Sequence, residues 1–218
     1  MRKVLFIAVL VLISGSLAVA QDYPKAELFG GFTYTHLDTE GAKVPADAPA
    51  GTSIKNWYPG WEATGQFNFT KMLGVAADIS GSYGKPVSVP GVSGLPSARV
   101  YNFLFGPVVT FRGERLTPFV HALFGIDHLS LSSSTITGLP GIGSVASATG
   151  YSENAFGMEF GGGVDVKLSH HFAYRLGQFD YLYTKHCLAV AGTCTLGVDS
   201  APPAHQNNFR FATGIVIH

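Results

Sequence analysis

The chain has 218 residues with 14 basic and 14 acidic side chains, 46% hydrophobic residues, 13% charged residues and a mean hydropathy of +0.24. The charged share is near half the usual value of about 25%, which speaks against an ordinary secreted globule. The balance of acids and bases gives no reason to expect a nucleic-acid partner, and beyond residue 20 no run approaches the roughly 18 apolar residues of a spanning helix.

Residues 1–20 read as a cleavable export signal. Arg2 and Lys3 form the positive end, Val4 to Ile13 a short apolar core, and Ala18-Val19-Ala20 a small-residue cleavage site before Gln21. Residues 21–218 are then one domain in an oxidising compartment. There Cys187 and Cys194 are expected to pair as a disulfide across a short loop.

Eight alternating segments follow. Successive strand side chains point to opposite faces, so each segment has one apolar and one polar side. The first, Lys25 to Leu37, places Leu28, Gly30, Phe32 and Tyr34 on the apolar face. The second places Trp57, Pro59, Trp61, Ala63, Gly65, Phe67 and Phe69 there, opposite Tyr58, Gly60, Glu62, Thr64, Gln66 and Asn68. The third, from Leu73 to Gly84, sets Leu73, Val75, Ala77, Ile79, Gly81 and Tyr83 against Asp78 and small residues. The fourth, Arg99 to Arg112, turns Tyr101, Phe103, Phe105, Val109 and Phe111 outward. The fifth, Thr117 to Ser130, turns Val120, Ala122, Phe124 and Ile126 outward. The sixth, Phe156 to Leu168, opposes Phe156, Met158, Phe160, Val164, Val166 and Leu168 to Gly157, Glu159, Gly161, Gly163, Asp165 and Lys167. The seventh, Phe172 to Thr184, changes phase near Gly177-Gln178, which a β-bulge would restore. The eighth, Asn208 to Ile217, sends Phe209, Phe211, Thr213, Ile215 and Ile217 outward.

The connections alternate long (38–56, 85–98, 133–155, 185–206) and short (70–72, 113–116, 169–171). Outer-membrane barrels have long extracellular loops and short periplasmic turns, and an even strand count leaves both termini periplasmic. The predicted fold class is therefore an all-β, eight-stranded antiparallel up-and-down transmembrane barrel. A soluble barrel of the lipocalin kind would carry charge outside and apolar groups inside. Here Trp, Phe, Val and Ile crowd one face almost without charge.

Three stretches carry a resemblance: Ala26-Glu27-Leu28-Phe29-Gly30-Gly31-Phe32-Thr33-Tyr34, the hairpin from Gly60-Trp61-Glu62-Ala63 to Ile79-Ser80-Gly81, and the pair Tyr174-Arg175-Leu176 to Asp180-Tyr181 with Asn208-Phe209-Arg210-Phe211-Ala212-Thr213-Gly214-Ile215-Val216. They resemble the small outer-membrane barrels of the outer-membrane protein A transmembrane-domain and opacity-protein type. The resemblance implies an outer-membrane location, with lipid and the barrel-assembly machinery as partners; because the sequence stops at the eighth predicted strand, the wall-binding domain of full-length outer-membrane protein A is not expected. Such barrels usually finish on an aromatic residue, whereas this chain finishes Ile217-His218.

The polar face collects Glu62, Asp78, Arg112, His121, Asp127, Glu159, Asp165, Lys167, Arg175, Asp180 and Arg210. Buried charges must pair or be hydrated, so a network of the acids against Arg175, Arg210 and Lys167 is expected to plug the bore. A charge-lined small-solute pore is the alternative. Trp57, Trp61, Tyr83, Tyr101, Tyr181 and Tyr183 lie toward strand ends, where membrane-interface aromatics sit.

Catalytic, cofactor and metal sites are not expected. Asp127-His128 are adjacent in a strand and point apart, and Ser130, Ser132, Ser133 and Ser134 read as a solvated loop. The sequence carries no G-x-S-x-G, P-loop or H-E-x-x-H pattern. His170-His171 occupy a turn, Gly161-Gly162-Gly163 lies inside a strand, and the two cysteines with His186 do not make a four-ligand zinc site. The expected function is structural or adhesion-like, through loops that meet an extracellular ligand or surface. A lipid-modifying enzyme is a further alternative.

Overall fold

The structure is a computed structural model and describes residues 23–38, 44, 46, 48–136, 146–148, 150–186 and 204–218. The export signal at 1–20 and the Cys187–Cys194 pair lie outside the described residues. In chain order the strands are β1 (Ala26–His36), β2 (Ser53–Ile54), β3 (Trp57–Asn68), β4 (Leu73–Gly84), β5 (Val87–Ser88), β6 (Ala98–Thr110), β7 (Leu116–Leu131), β8 (Ser134–Ile136), β9 (Ala146–Ala148), β10 (Tyr151–Lys167), β11 (Phe172–His186) and β12 (Ala204–Ile217).

Eight of them close into an antiparallel barrel in the order β1-β12-β11-β10-β7-β6-β4-β3. Each barrel strand therefore pairs with its neighbours along the chain, and β1 closes on β12 from Leu28↔Ile217 to His36↔Phe209. The barrel strands run from 11 residues in β1 to 17 in β10, enough for a tilted crossing that needs about 9–11.

The burial pattern is inverted relative to a soluble domain. Phe105 is 59% exposed and Phe179 70% on the outer face, while Glu159 inside is fully buried. The period-2 alternation sets this directly: in β6, Val100, Asn102, Leu104 and Val108 are buried, and Phe103 and Phe105 are exposed. The expected bulge in β11 is present. Its register shifts against β10 between Arg175 and Gly177 and against β12 between Arg175 and Gln178, so Tyr174 and Phe179 reach the same outer face from opposite parities.

Short turns close one end. Phe69 and Thr70 N–H donate to Leu73 O, Gly113 N–H to Leu116 O, and Leu168 and Ser169 N–H to Phe172 O. Side-chain oxygens of Thr70 and Ser169 accept from the N–H groups of Leu73 and Phe172, the local bonding that makes Ser and Thr good turn formers. The described parts of the long connections lie at the other end. β2 pairs with β5, tying the first long connection to the second, and β8 pairs with β9 within the third.

Several strands run further than the hydrophobic pattern predicts. β10 starts at Tyr151 rather than Phe156 and continues its ladder with β7 through Tyr151↔Leu131, and β12 starts at Ala204 rather than Asn208. Backbone pairing needs no hydrophobic alternation, and the pattern fades in those extensions although the ladder does not.

The interior is also more apolar than the sequence reading expected. Ala76, Leu104, Val108, Phe119 and Leu123 form one buried cluster, and Phe29, Ala173, Ala212 and Val216 a second. These side chains fill bore volume that a purely polar lining would leave to water, as an eight-stranded interior allows.

Candidate functional site

The middle of the bore is organised by β12, which presents Arg210 inward. Its guanidinium meets four carboxylates: Glu159 at 2.7 Å, Asp180 at 3.0 Å, Glu62 at 3.2 Å and Asp78 at 3.5 Å. Nη1 also donates to Ser80 Oγ at 2.6 Å. The Arg210 side chain is 1% exposed, so these bonds operate away from bulk water. In such surroundings charge-assisted hydrogen bonds hold both partners in fixed geometry.

Register explains which residues meet. His121 on β7 lies opposite Gly161 on β10, Gly161 opposite Asp180 on β11, and Asp180 opposite Arg210 on β12. The row is continuous across four strands, with glycine at one position. A Cβ at Gly161 would lie 2.1 Å from Asp180 Oδ1 and 2.6 Å from Phe179 O. The missing side chain is what gives the Asp180 carboxylate room. His121 Nε2 then stands 3.1 Å from Glu159 Oε1 and 3.1 Å from Asp180 Oδ1.

Gln178 links this centre to a second ion pair. Its Nε2 donates to Glu62 Oε1 at 3.0 Å and to Asp180 Oδ2 at 2.8 Å, and its Oε1 accepts from Arg175 Nη1 at 2.5 Å. Arg175 is also held by both oxygens of Asp165, at 2.8 and 3.1 Å. Its guanidinium lies between two inward rings, 4.1 Å from the centroid of Phe29 and 4.1 Å from that of Phe119. Stacking of this kind suits the weakly hydrated, planar guanidinium. The Thr64 hydroxyl, with one proton to donate, stands 2.9 Å from Asp78 Oδ2 and 3.1 Å from Glu62 Oε1. The result is a crosslinked polar network with Phe29 and Phe119, one from each apolar cluster, packed against its Arg175.

Of the residues expected in the network, the structure gathers Glu62, Asp78, His121, Glu159, Asp180 and Arg210 at the centre, with Asp165 and Arg175 beside them. Asp127 is buried nearer the long connections, opposite Asn102. One expectation needs correction. Lys167 is exposed, because it is the last residue of β10 and its side chain emerges beside the short turn; its N–H donates to Arg115 O. Arg112 lies past the end of β6 and pairs there with Glu27, away from the central acids.

Sequence reading missed Glu27, Gln178, Phe29 and Phe119. Glu27 also accepts from Asn68 Nδ2 at 2.7 Å, and His218 Nδ1 lies 3.5 Å from its other oxygen. The inward parity of Glu27 and Phe29 on β1 was available as a signal. That of Gln178 was hidden by the bulge.

The aromatics expected at the membrane interface surround the long-connection end. Tyr34 stacks on Trp57 with ring centroids 5.1 Å apart. Trp61 Nε1 donates to the Tyr83 hydroxyl at 2.9 Å, and Tyr83 meets Tyr101 edge-on at 5.8 Å. Tyr181 donates to Asn207 Oδ1 at 2.5 Å and packs on Phe209, and Tyr183 is half-buried on the same strand. Asp127 and His128 point to opposite faces, as expected: Asp127 is buried, and His128 Nδ1 lies 2.6 Å from Asn154 Oδ1.

No family model matches the chain, and no curated protein matches it. Solved structures do match. The attachment invasion locus protein Ail of Yersinia pestis superposes with a TM-score of 0.50 at 12% identity, over 88% of this chain and 97% of that one. Neisserial surface protein A superposes with a TM-score of 0.50 at 10% identity, over 88% and 96%. The outer membrane protein OprG of Pseudomonas aeruginosa gives a TM-score of 0.48 at 13% identity, over 88% and 94%. The chain has the fold of the small eight-stranded outer-membrane barrels.

Proposed function

We propose that the protein is a non-enzymatic barrel of a bacterial outer membrane, with a sealed bore and a structural or adhesion-like role carried by its long connections. The observation that carries this reading is the division of faces. A continuous outer surface of Phe, Leu, Ile and Trp surrounds a bore filled by buried ion pairs. An outer face of that kind is stable only against lipid, and a bore so filled has no use as a conduit.

In this reading the export signal at 1–20 is removed, the domain at 21–218 is inserted by the barrel-assembly machinery, the short turns and both termini are periplasmic, and the long connections are extracellular. The Cys187–Cys194 disulfide would stiffen the fourth connection. The β2–β5 ribbon supports a surface role. It joins two connections into one small sheet, which lowers the entropy cost of presenting them to a partner. A protein named for attachment and invasion has the same fold.

The test replaces residues 39–52 and 137–149 by short turns and compares the adherence of bacteria displaying either form to an epithelial monolayer. The reading expects adherence to fall to the level of bacteria lacking the protein, while the barrel stays in the outer membrane. Undiminished adherence would remove the surface role. In planar bilayers the intact protein is expected to show no steady channel, and regular conductance steps would restore the pore.

A further inference from the structure

We propose that His121, Glu159 and Asp180 form a binding site inside the bore for one divalent transition-metal cation of the zinc class. Each offers a ligand atom, and these atoms lie within 4.8 Å of one another on three adjacent strands. His121 Nε2 is 3.1 Å from an oxygen of each carboxylate. Zn²⁺ takes nitrogen and oxygen ligands at about 2.0–2.2 Å in tetrahedral geometry, which sets neighbouring donors about 3.3 Å apart. The observed spacing therefore needs little adjustment to hold an ion.

Two further observations point to a cation. Among the described residues, His121 Nε2, Asp180 Oδ1 and Glu159 Oε2 make no well-aligned hydrogen bond, the 3.1 Å approaches of Nε2 to Asp180 Oδ1 and Glu159 Oε1 being ion-pair contacts only, although Asp180 and Glu159 have fully buried side chains. Asp180 Oδ1, one of these orphaned atoms, is directed at His121, in the space that Gly161 leaves open. Such orphans call for a ligand, since a buried acceptor without a partner is costly.

The second observation is charge. Among the described residues, Glu62, Asp78, Glu159 and Asp180 surround a single guanidinium, and His121 is the only other basic group in ion-pair contact with them. Four carboxylates against at most two cations leave an excess that a divalent ion would lower.

The remaining bonds already orient the ligands. Arg210 Nη2 holds Glu159 Oε1 at 2.7 Å, while Arg210 Nε and Gln178 Nε2 hold Asp180 Oδ2 at 3.0 and 2.8 Å. Asp180 Oδ2 is thereby taken by Arg210 and Gln178 and Oδ1 is left for the metal, whereas the Glu159 oxygen that faces His121, Oε1, is the one Arg210 also holds, so the metal would share it. This is the outer-shell support that metal-binding carboxylates ordinarily have. One imidazole with two carboxylates suits zinc-class ions better than Ca²⁺ or Mg²⁺, which prefer all-oxygen sets. Sequence spacing does not reveal the site, because each ligand comes from a different strand.

The experiment unfolds the protein in urea and refolds it into detergent micelles with Zn²⁺ present. Free metal is then removed by gel filtration with a chelator in the buffer, and bound zinc is measured by atomic emission. The proposal expects about one Zn²⁺ per folded barrel and a urea midpoint above that of zinc-free refolded protein. His121→Gln and Asp180→Asn should each lower retention by about tenfold or more while still giving the gel mobility of a folded barrel. Should either variant fail to fold, Glu159→Gln supplies the same comparison. Folded wild-type protein that retains no zinc would overturn the proposal, as would equal retention by a folded variant. In either case a protonated His121 shared by the two carboxylates would account for the geometry.

Discussion

Arg210→Met removes the one guanidinium that the central carboxylates share and leaves a side chain of similar length. Arg210 is 1% exposed and contacts Glu159, Asp180, Glu62 and Asp78 between 2.7 and 3.5 Å. Deleting one partner of a buried ion pair costs about 3–5 kcal/mol, because the other charge is left without compensation. Four carboxylates lose their partner here, so the upper end, about 4–5 kcal/mol, is expected. With a urea slope of roughly 2 kcal/mol per molar, the unfolding midpoint in micelles should fall by about 2 M. Trp57 and Trp61 on β3 provide a fluorescence signal. Adding Glu159→Gln and Asp180→Asn should recover part of the loss, since the three residues act as one network. A loss under about 1 kcal/mol for Arg210→Met alone would refute the reasoning. It would mean that water hydrates the carboxylates and that the bore is wet rather than plugged.

The exposed apolar outer face makes a separate prediction. Phe105 is 59% exposed in the middle of β6, and Phe105→Arg should cost about 2–4 kcal/mol in bilayers, measured by reversible unfolding. Gly161→Ala brings a methyl to 2.1 Å from Asp180 Oδ1 and 2.6 Å from backbone Phe179 O, so a loss of about 1–3 kcal/mol is expected. Gly30→Ala on the outer face, with no atom within 4 Å of its new Cβ, should stay within about 0.5 kcal/mol in the same urea titration. Phe119→Leu keeps an apolar group but removes one ring from Arg175; a decrease of about 1–2 kcal/mol is expected, and Arg175→Met in that background should show a reduced further loss.

Barrel architecture is legible in this chain because an apolar outer face and a filled bore impose a strict period of two. The run from Trp57 to Tyr83 shows it most plainly, and even the change of phase at Gly177-Gln178 corresponds to the observed bulge. The members of the central network were readable for the same reason. Their partners were not, since the pairing of His121, Asp180 and Arg210 depends on register across strands that are distant in sequence. Lys167 misled because parity says which face a residue occupies but not how near it lies to the strand end. Phe29, Leu104 and Phe119 escaped notice because their neighbours on both sides are also apolar or small, which masks an inward hydrophobe among outward ones. The strand extensions at Tyr151 and Ala204 lie where the hydrophobic alternation gives way to polar and small residues.

The most direct test of the account separates purified outer membranes from the soluble periplasm and runs the membrane fraction on an SDS gel with and without boiling. The account predicts that the protein is in the membrane fraction and shifts in mobility on boiling, as a detergent-resistant closed barrel does. Recovery as a soluble periplasmic protein with no shift would contradict it, because the exposed apolar outer face would then have no lipid to cover it.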